Sequence, residues 1–344
     1  MKKIYFILFA VVAALSFTAC SDGDQPSGSS IFVNDEAKPD AFEQWLLENF
    51  TYPYNVEVLY RMKDTEIDHK YTLTPADSAK CAKLAMIVKY LWYDAYAEVA
   101  GPDFVKANTP RVLQFIGSLA IENNGTVVMG TAEGGYKITL YNVNNLGSAF
   151  KLDDYDALNQ WYFTTLHHEF QHILNQKKPY DTSFDLISEG NYVSGDWYQY
   201  NTDTQALPLG FIRNYAMNEP REDYAELYSQ YLTNNDALWN SKMEKAGEEG
   251  QAIIEQKLAH IRTYMRQNWN IDLEELRAVV QRRAVENAAD EGEDRGAVRV
   301  TAGVHHGQRY AGRRHVRLVG RYRSGRGIRY VLRQLHCVQP LRSG

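Results

Sequence analysis

The pentapeptide His168-Glu169-Phe170-Gln171-His172 constrains this chain more than any other stretch. Residues i and i+4 of a helix project from one face, a turn apart, so His168 and His172 can offer two imidazole nitrogens to one ion only if the segment is helical. Its surroundings agree: the pattern is helical from Asp154 through Gln176, and Pro179 blocks extension. At about 100° per residue with His168 at zero, His172 falls at about 40° and Glu169 at about 100°. Phe163, Leu166, Phe170, Ile173 and Leu174 occupy roughly 140° to 240°. One face therefore packs and the histidine face lines a cleft. His167 points about 100° away from His168 and is read as non-ligating. Neutral imidazoles suit zinc, a water in its open position loses much of its pKa, and Glu169 stands where a general base would take the proton and pass it to a leaving group.

A catalytic zinc needs a third protein ligand. No third histidine follows closely, as a metzincin pattern would require, so a downstream glutamate is expected from among Glu189, Glu219, Glu222 and Glu226. Glu222 and Glu226 stand one turn apart, opposite Tyr224, Leu227, Tyr228 and Tyr231, on a face that periodicity alone marks as solvated. Glu189, in Ser188-Glu189-Gly190, lies closer to the histidines and remains an alternative.

The rest of the chain predicts an α+β, mainly α, domain. A helix is expected from Thr74-Pro75 through Trp92 to Gly101, and others at about Arg221 to Thr233, Gly250 to Gln267 and Asp272 to Arg283, the last capped by Asp272. Arg111 to Ile116 reads as a strand. Thr126 to Met129 and Tyr136 to Tyr141 read as a hairpin joined by Ala-Glu-Gly-Gly, with an edge along which an extended peptide could pair. At 344 residues and 44% apolar, the chain can fill such a core. Cys81 is expected to be a buried helix thiol, and with only Cys20 and Cys337 besides, neither a disulfide framework nor a cysteine zinc site is indicated.

Both ends differ from this body. Lys2-Lys3, an apolar run from Ile4 to Phe17 and Thr18-Ala19-Cys20 resemble a bacterial lipoprotein signal over residues 1–20, with Cys20 as the lipidated residue. Residues 21–36 have the composition of a flexible tether, and 37–285 form the expected catalytic domain. The tail 286–344 loses lysine and gains arginine; Arg295 to Gly344 holds twelve arginines and no Lys, Asp or Glu. With those twelve set aside, 25 basic residues face 43 acidic ones, a net of −18 that excludes a nucleic-acid footprint on the body. So abrupt a break favours an out-of-frame translation of the C-terminus over a genuine basic tail. Resequencing the locus decides between them: an intact frame with the same tail in independent isolates would sink the first reading.

The lipoprotein signal, the motif His167-His168-Glu169-Phe170-Gln171-His172, Gly210-Phe211 with Asn214-Tyr215-Ala216, and Glu222-Asp223-Tyr224-Ala225-Glu226 together resemble the zinc-binding metallopeptidase lipoproteins of Bacteroidetes, over roughly residues 1 to 285. That resemblance implies a zincin-like domain with a long active-site helix and a small early sheet, a Zn2+ cofactor, and a lipid-anchored outer-membrane protein associated with a TonB-dependent transporter. The Glu-x-x-Ala-Glu pattern is also similar to the catalytic domain of anthrax lethal factor. The likeness implies Glu222 as third ligand, Tyr215 as hydrogen-bond donor to the tetrahedral oxyanion, and Glu226 orienting an imidazole through its other ring nitrogen. The activity it implies is hydrolysis of a peptide or protein; the alternatives are a non-catalytic peptide-binding lipoprotein, against which the intact Glu169 argues, and an amidohydrolase acting on another bond.

Overall fold

The computed structural model describes residues 39–123 and 125–293 and two short paired strands, Arg321–Arg323 and Arg329–Val331. The expected leader with Cys20, the tether, Cys337 and most of the arginine-rich tail lie outside the described residues. Among the described residues no helix is long and apolar enough to cross a membrane.

The sheet has the order β1-β2-β6-β5. Strands β1 (Glu57–Leu59), β2 (Val112–Phe115) and β6 (Lys137–Leu140) run parallel, and β5 (Gly130–Glu133) closes the edge antiparallel to β6. This corrects the expected hairpin. Gly134 and Gly135 both take positive φ, so the turn sits at 134–136, sets Glu133 opposite Lys137, and makes 130–133 the partner of β6. Residues 126–129 lie before the first pair of that ladder, Gly130 with Leu140. There β4 (Val127–Val128) pairs instead with β3 (Ala120–Ile121).

Helices fill the remainder, giving the expected mainly helical α+β class. The helix predicted from Thr74-Pro75 starts later, at Ser78, because Asn144 bonds both the Pro75 carbonyl and the Asp77 amide and holds 74–77 extended. Asp77 then supplies the cap, accepting from the Lys80 amide. The helix continues through a π turn at Lys89–Tyr93 and ends at Gly101, whose φ of 87° suits glycine. Cys81 is buried in it, as expected.

The histidine segment is capped by Asp154, which accepts from Ala157, passes through a π turn at Asn159–Phe163 and becomes the histidine helix, Thr164–Lys177. Its predicted apolar face is buried throughout. Phe170 meets Trp92 and Tyr96 edge-on, with ring centroids 5.3 and 4.9 Å apart. Such T-shaped contacts add to the area term and fix the helix's rotation about its axis.

Three long helices follow the histidine helix: Pro220–Thr233, which carries Glu222 and is called the glutamate helix below, Asp236–Trp269 and Leu273–Glu293. The second begins well before the expected Gly250 and is broken at Gly247, where φ is 67°. Asp272 caps the third through the amides of Glu274 and Glu275. That helix runs past residue 285, with Asn287 buried and donating to the Leu152 carbonyl.

Strand β5 lies directly against the histidine helix. A Cβ on Gly130 would fall 2.5 Å from Thr165 Cγ2 and 2.8 Å from the Thr139 carbonyl oxygen, so only glycine permits this approach. Gly130→Ala is expected to lower stability by about 1–3 kcal/mol through overpacking, read by thermal or urea unfolding. An unchanged midpoint would show that the strand does not bear on the helix as described.

Candidate metal centre

One turn of the histidine helix and one turn of the glutamate helix face each other. His168 Nε2 lies 3.0 Å from His172 Nε2 and 3.0 Å from Glu222 Oε2, and His172 Nε2 lies 3.5 Å from the same oxygen. Among the described residues these are the three whose donor atoms converge into a group able to hold a metal ion, all within 4.8 Å of one another. Glu189 is exposed, and Glu219, at the cap of the glutamate helix, pairs with Arg221 on the surface; neither joins the cluster.

Glu226, one turn after Glu222, sits behind His168 with Oε1 3.0 Å from Nδ1. Its other oxygen is 3.1 Å from Arg213 Nε. A chain Arg213–Glu226–His168 thus places Nδ1–H against a carboxylate, so that loss of the other ring proton leaves the Nε2 lone pair facing the cluster. Tyr215, in the short turn Asn214–Met217, has its ring 6.0 Å from that of His168. Glu169 follows His168 on the same helix. His167 turns the other way: it is fully buried, its Nδ1 lies 2.8 Å from the Tyr96 hydroxyl, and burial lowers its pKa to about 3, so it stays neutral in the core.

The charges are shifted as their surroundings dictate. Burial by itself would lower His168, but hydrogen bonds and charge from Glu222 and Glu226 outweigh it and raise its pKa to about 10. Burial would likewise raise Glu222, yet the two histidines hold its carboxyl well below the usual range. Glu226 is buried too and is lowered, first by the Arg213 charge and then by His168. Glu169 moves the other way: burial raises it above an ordinary glutamate despite the nearby imidazoles. Burial, then Glu222, Glu226 and Glu169, push the Tyr215 phenol up, so it remains a donor.

Sequence periodicity misplaces one part of this region. The face of the glutamate helix it marks as solvated carries Glu226, with 3% exposure, and Asp223 beside that face has 0%. Asp223 is buried because Lys257, itself fully buried, reaches its Oδ2 at 2.7 Å, while Tyr192 donates to the same oxygen at 3.0 Å. Lys257 also donates to the Gly210 carbonyl and stands 3.9 Å over the Phe211 ring. Removing one partner of such a pair costs about 3–5 kcal/mol, so the lysine and the aspartate fix each other. Gly210 is glycine for two reasons: its φ is 81°, and a Cβ would come within 2.3 Å of Ile253. Arg213, Lys257 and Tyr192 carry no motif of their own. Their signal is indirect, in that charged residues flank Gly210-Phe211 and Glu222 where a cleft rather than bulk solvent must lie.

Residues 35–274 match the family model described as "Putative zinc-binding metallo-peptidase". The chain belongs to this family. A crystal structure of a putative zinc-binding metallo-peptidase from Bacteroides caccae is similar to it, with 41% sequence identity and a TM-score of 0.63, across 76% of this chain and 97% of that one. No curated protein matches.

The family is zinc-binding, and the residues present fit that ion: two imidazole nitrogens and a carboxylate oxygen converge, and the one buried imidazole of the set has its far nitrogen against a carboxylate. Hydrogen bonds and charge from Glu222 and Glu226 favour the protonated imidazole of His168 in the metal-free protein, so an ion binding at its Nε2 has to displace that proton. Apparent zinc affinity is therefore expected to rise with pH, by up to about tenfold per unit between pH 6 and 8, in a chelator-competition titration corrected for the chelator's own protonation. A flat profile would contradict the direct ligation of His168.

Proposed function

We propose that this protein is a zinc-dependent peptidase in which His168, His172 and Glu222 hold the ion, Glu169 is the general base and Tyr215 the oxyanion donor. The observation that carries the reading is the convergence of those three donors, two of them from the helix that also bears Glu169. Zinc held there would supply Lewis acidity, acidifying water and polarising a carbonyl. Glu169, with its pKa raised by burial, is suited to accept a proton from that water and return it to the departing amine. Tyr215 keeps its proton and can donate to the oxygen that becomes negative in the transition state. Glu226 and Arg213 hold the His168 ring in place and take no proton.

A peptide fits this arrangement better than a compact substrate. Strand β5 is an edge of the sheet and lies against the histidine helix, so its outer side offers backbone partners to an extended chain. The cellular setting belongs to the same proposal: a lipid anchor on Cys20 holds the domain to the outer membrane by the tether 21–36, beside a TonB-dependent transporter. Loss of the membrane-bound fraction in a Cys20→Ala strain would support the anchor, and unchanged fractionation would refute it.

Glu169→Gln is expected to retain stoichiometric zinc and to lose roughly 10²- to 10⁴-fold in cleavage of a peptide library. Tyr215→Phe is expected to lower kcat by about 10²-fold with little change in KM. A zinc-loaded wild-type protein that behaves like its Glu169→Gln variant would defeat the catalytic reading.

A further inference from the structure

A row of rings leaves the metal centre, and beyond Tyr215 the proposed chemistry does not use it. The Tyr215 ring stands 6.0 Å from His168. Trp197 meets Tyr215 edge to face at 4.9 Å and 84°, and Tyr198 meets Trp197 at 6.2 Å and 88°. Exposure rises outward along the row: His168 is buried, Tyr215 and Trp197 are half-buried, and Tyr198 is 51% exposed.

The outer two rings are built into the site. They lie in the 3₁₀ turn Ser194–Gln199, which is fastened to the Tyr215 turn by the backbone. The Val193 amide donates to the Met217 carbonyl at 2.8 Å and the Ser194 amide to the Asn218 carbonyl at 3.1 Å. Polar groups nearby are occupied: Asp196 accepts from Gln199, and the Arg213 guanidinium that stands over Tyr215 is paired with Glu226. What Trp197 and Tyr198 present is ring surface at a fixed place relative to the Tyr215 hydroxyl.

The geometry points to an aromatic subsite on Trp197 and Tyr198 that takes an aromatic or large aliphatic side chain of a peptide substrate, within two residues of the scissile bond. This rests on the peptidase reading, which puts the reacting carbonyl at Tyr215. An extended peptide advances about 3.3 Å per residue, so two residues span about 6.6 Å, enough to carry a side chain from Tyr215 to the Trp197 ring 4.9 Å away, with Tyr198 next to it. Ring-on-ring contact there is worth roughly tenfold in affinity.

The test uses the zinc-loaded full chain and peptide pairs that differ only in Phe against Ala at each of the two positions on either side of the cleaved bond. The wild type is expected to favour Phe at one of them, and Tyr198→Ala to lower the Phe-to-Ala ratio of kcat/KM about tenfold, through KM. Were Tyr198 merely supporting Tyr215 through Trp197, kcat would fall for both peptides alike and the ratio would hold; that result would overturn the subsite. Calorimetric binding of the same peptides to zinc-loaded Glu169→Gln keeps the two claims apart. A preference for Phe that Tyr198→Ala abolishes supports the subsite even if the wild type cleaves nothing, which would defeat only the peptidase reading. Equal binding of Phe and Ala peptides refutes the subsite even if cleavage is fast.

Discussion

Four acidic side chains, Glu169, Glu222, Asp223 and Glu226, are drawn from water into one small region, and the arrangement of the metal centre depends on how their charge is met. No single partner does it. His168 and His172 face Glu222, Arg213 and His168 share Glu226, and Lys257 with Tyr192 takes Asp223. Burial raises both Glu169 and Asp223, but Asp223 is tied to Lys257 and Tyr192, and Glu169 is the one to which the proposed mechanism gives the proton transfer. Burial that would be costly for unpaired carboxylates thus becomes orientation for three of them and basicity for the fourth.

The same ion pairs tie the parts of the site together. Tyr215 and Glu222 belong to different elements, yet the segment 210–217 is fixed to the glutamate helix twice. Lys257 joins the Gly210 carbonyl to Asp223, and Arg213 joins its own segment to Glu226. Tyr215 sits just beyond Arg213, so its distance from the zinc donors follows from these two links. The remaining support is apolar: Phe170 wedged against Trp92 and Tyr96 sets the helix that presents both histidines.

Much of this was legible in residues 154–179. A helical histidine pair, an opposed apolar stripe and a terminating proline describe one local element, and local periodicity reads such an element well. The need for a third ligand makes Glu222 one of four candidates, but only the resemblance singles it out and adds Tyr215, because periodicity assigns the acidic face of the glutamate helix to solvent. The reason it fails there is physical: a buried carboxylate is specified by partners distant in sequence, Lys257 and Arg213, which no local pattern reveals. The hairpin shows the same limit at short range. The glycine pair located the turn, but the strand on its N-terminal side was set four residues early, because Val127-Val128 looks more strand-like than Gly130-Thr131-Ala132. Contact with Thr165 explains why a glycine begins the true strand. The start of the helix at Ser78 was misplaced for a comparable reason, since Asn144 holds the preceding residues extended from another part of the chain.

The central claim is that the glutamate helix completes the zinc shell. Anomalous diffraction at the zinc edge from zinc-loaded crystals tests it most directly. The account predicts one strong site bounded by Nε2 of His168, Nε2 of His172 and a carboxylate oxygen of Glu222, with Glu226 outside the shell against His168. A site completed by Glu189, or one that leaves Glu222 unligated, would contradict it.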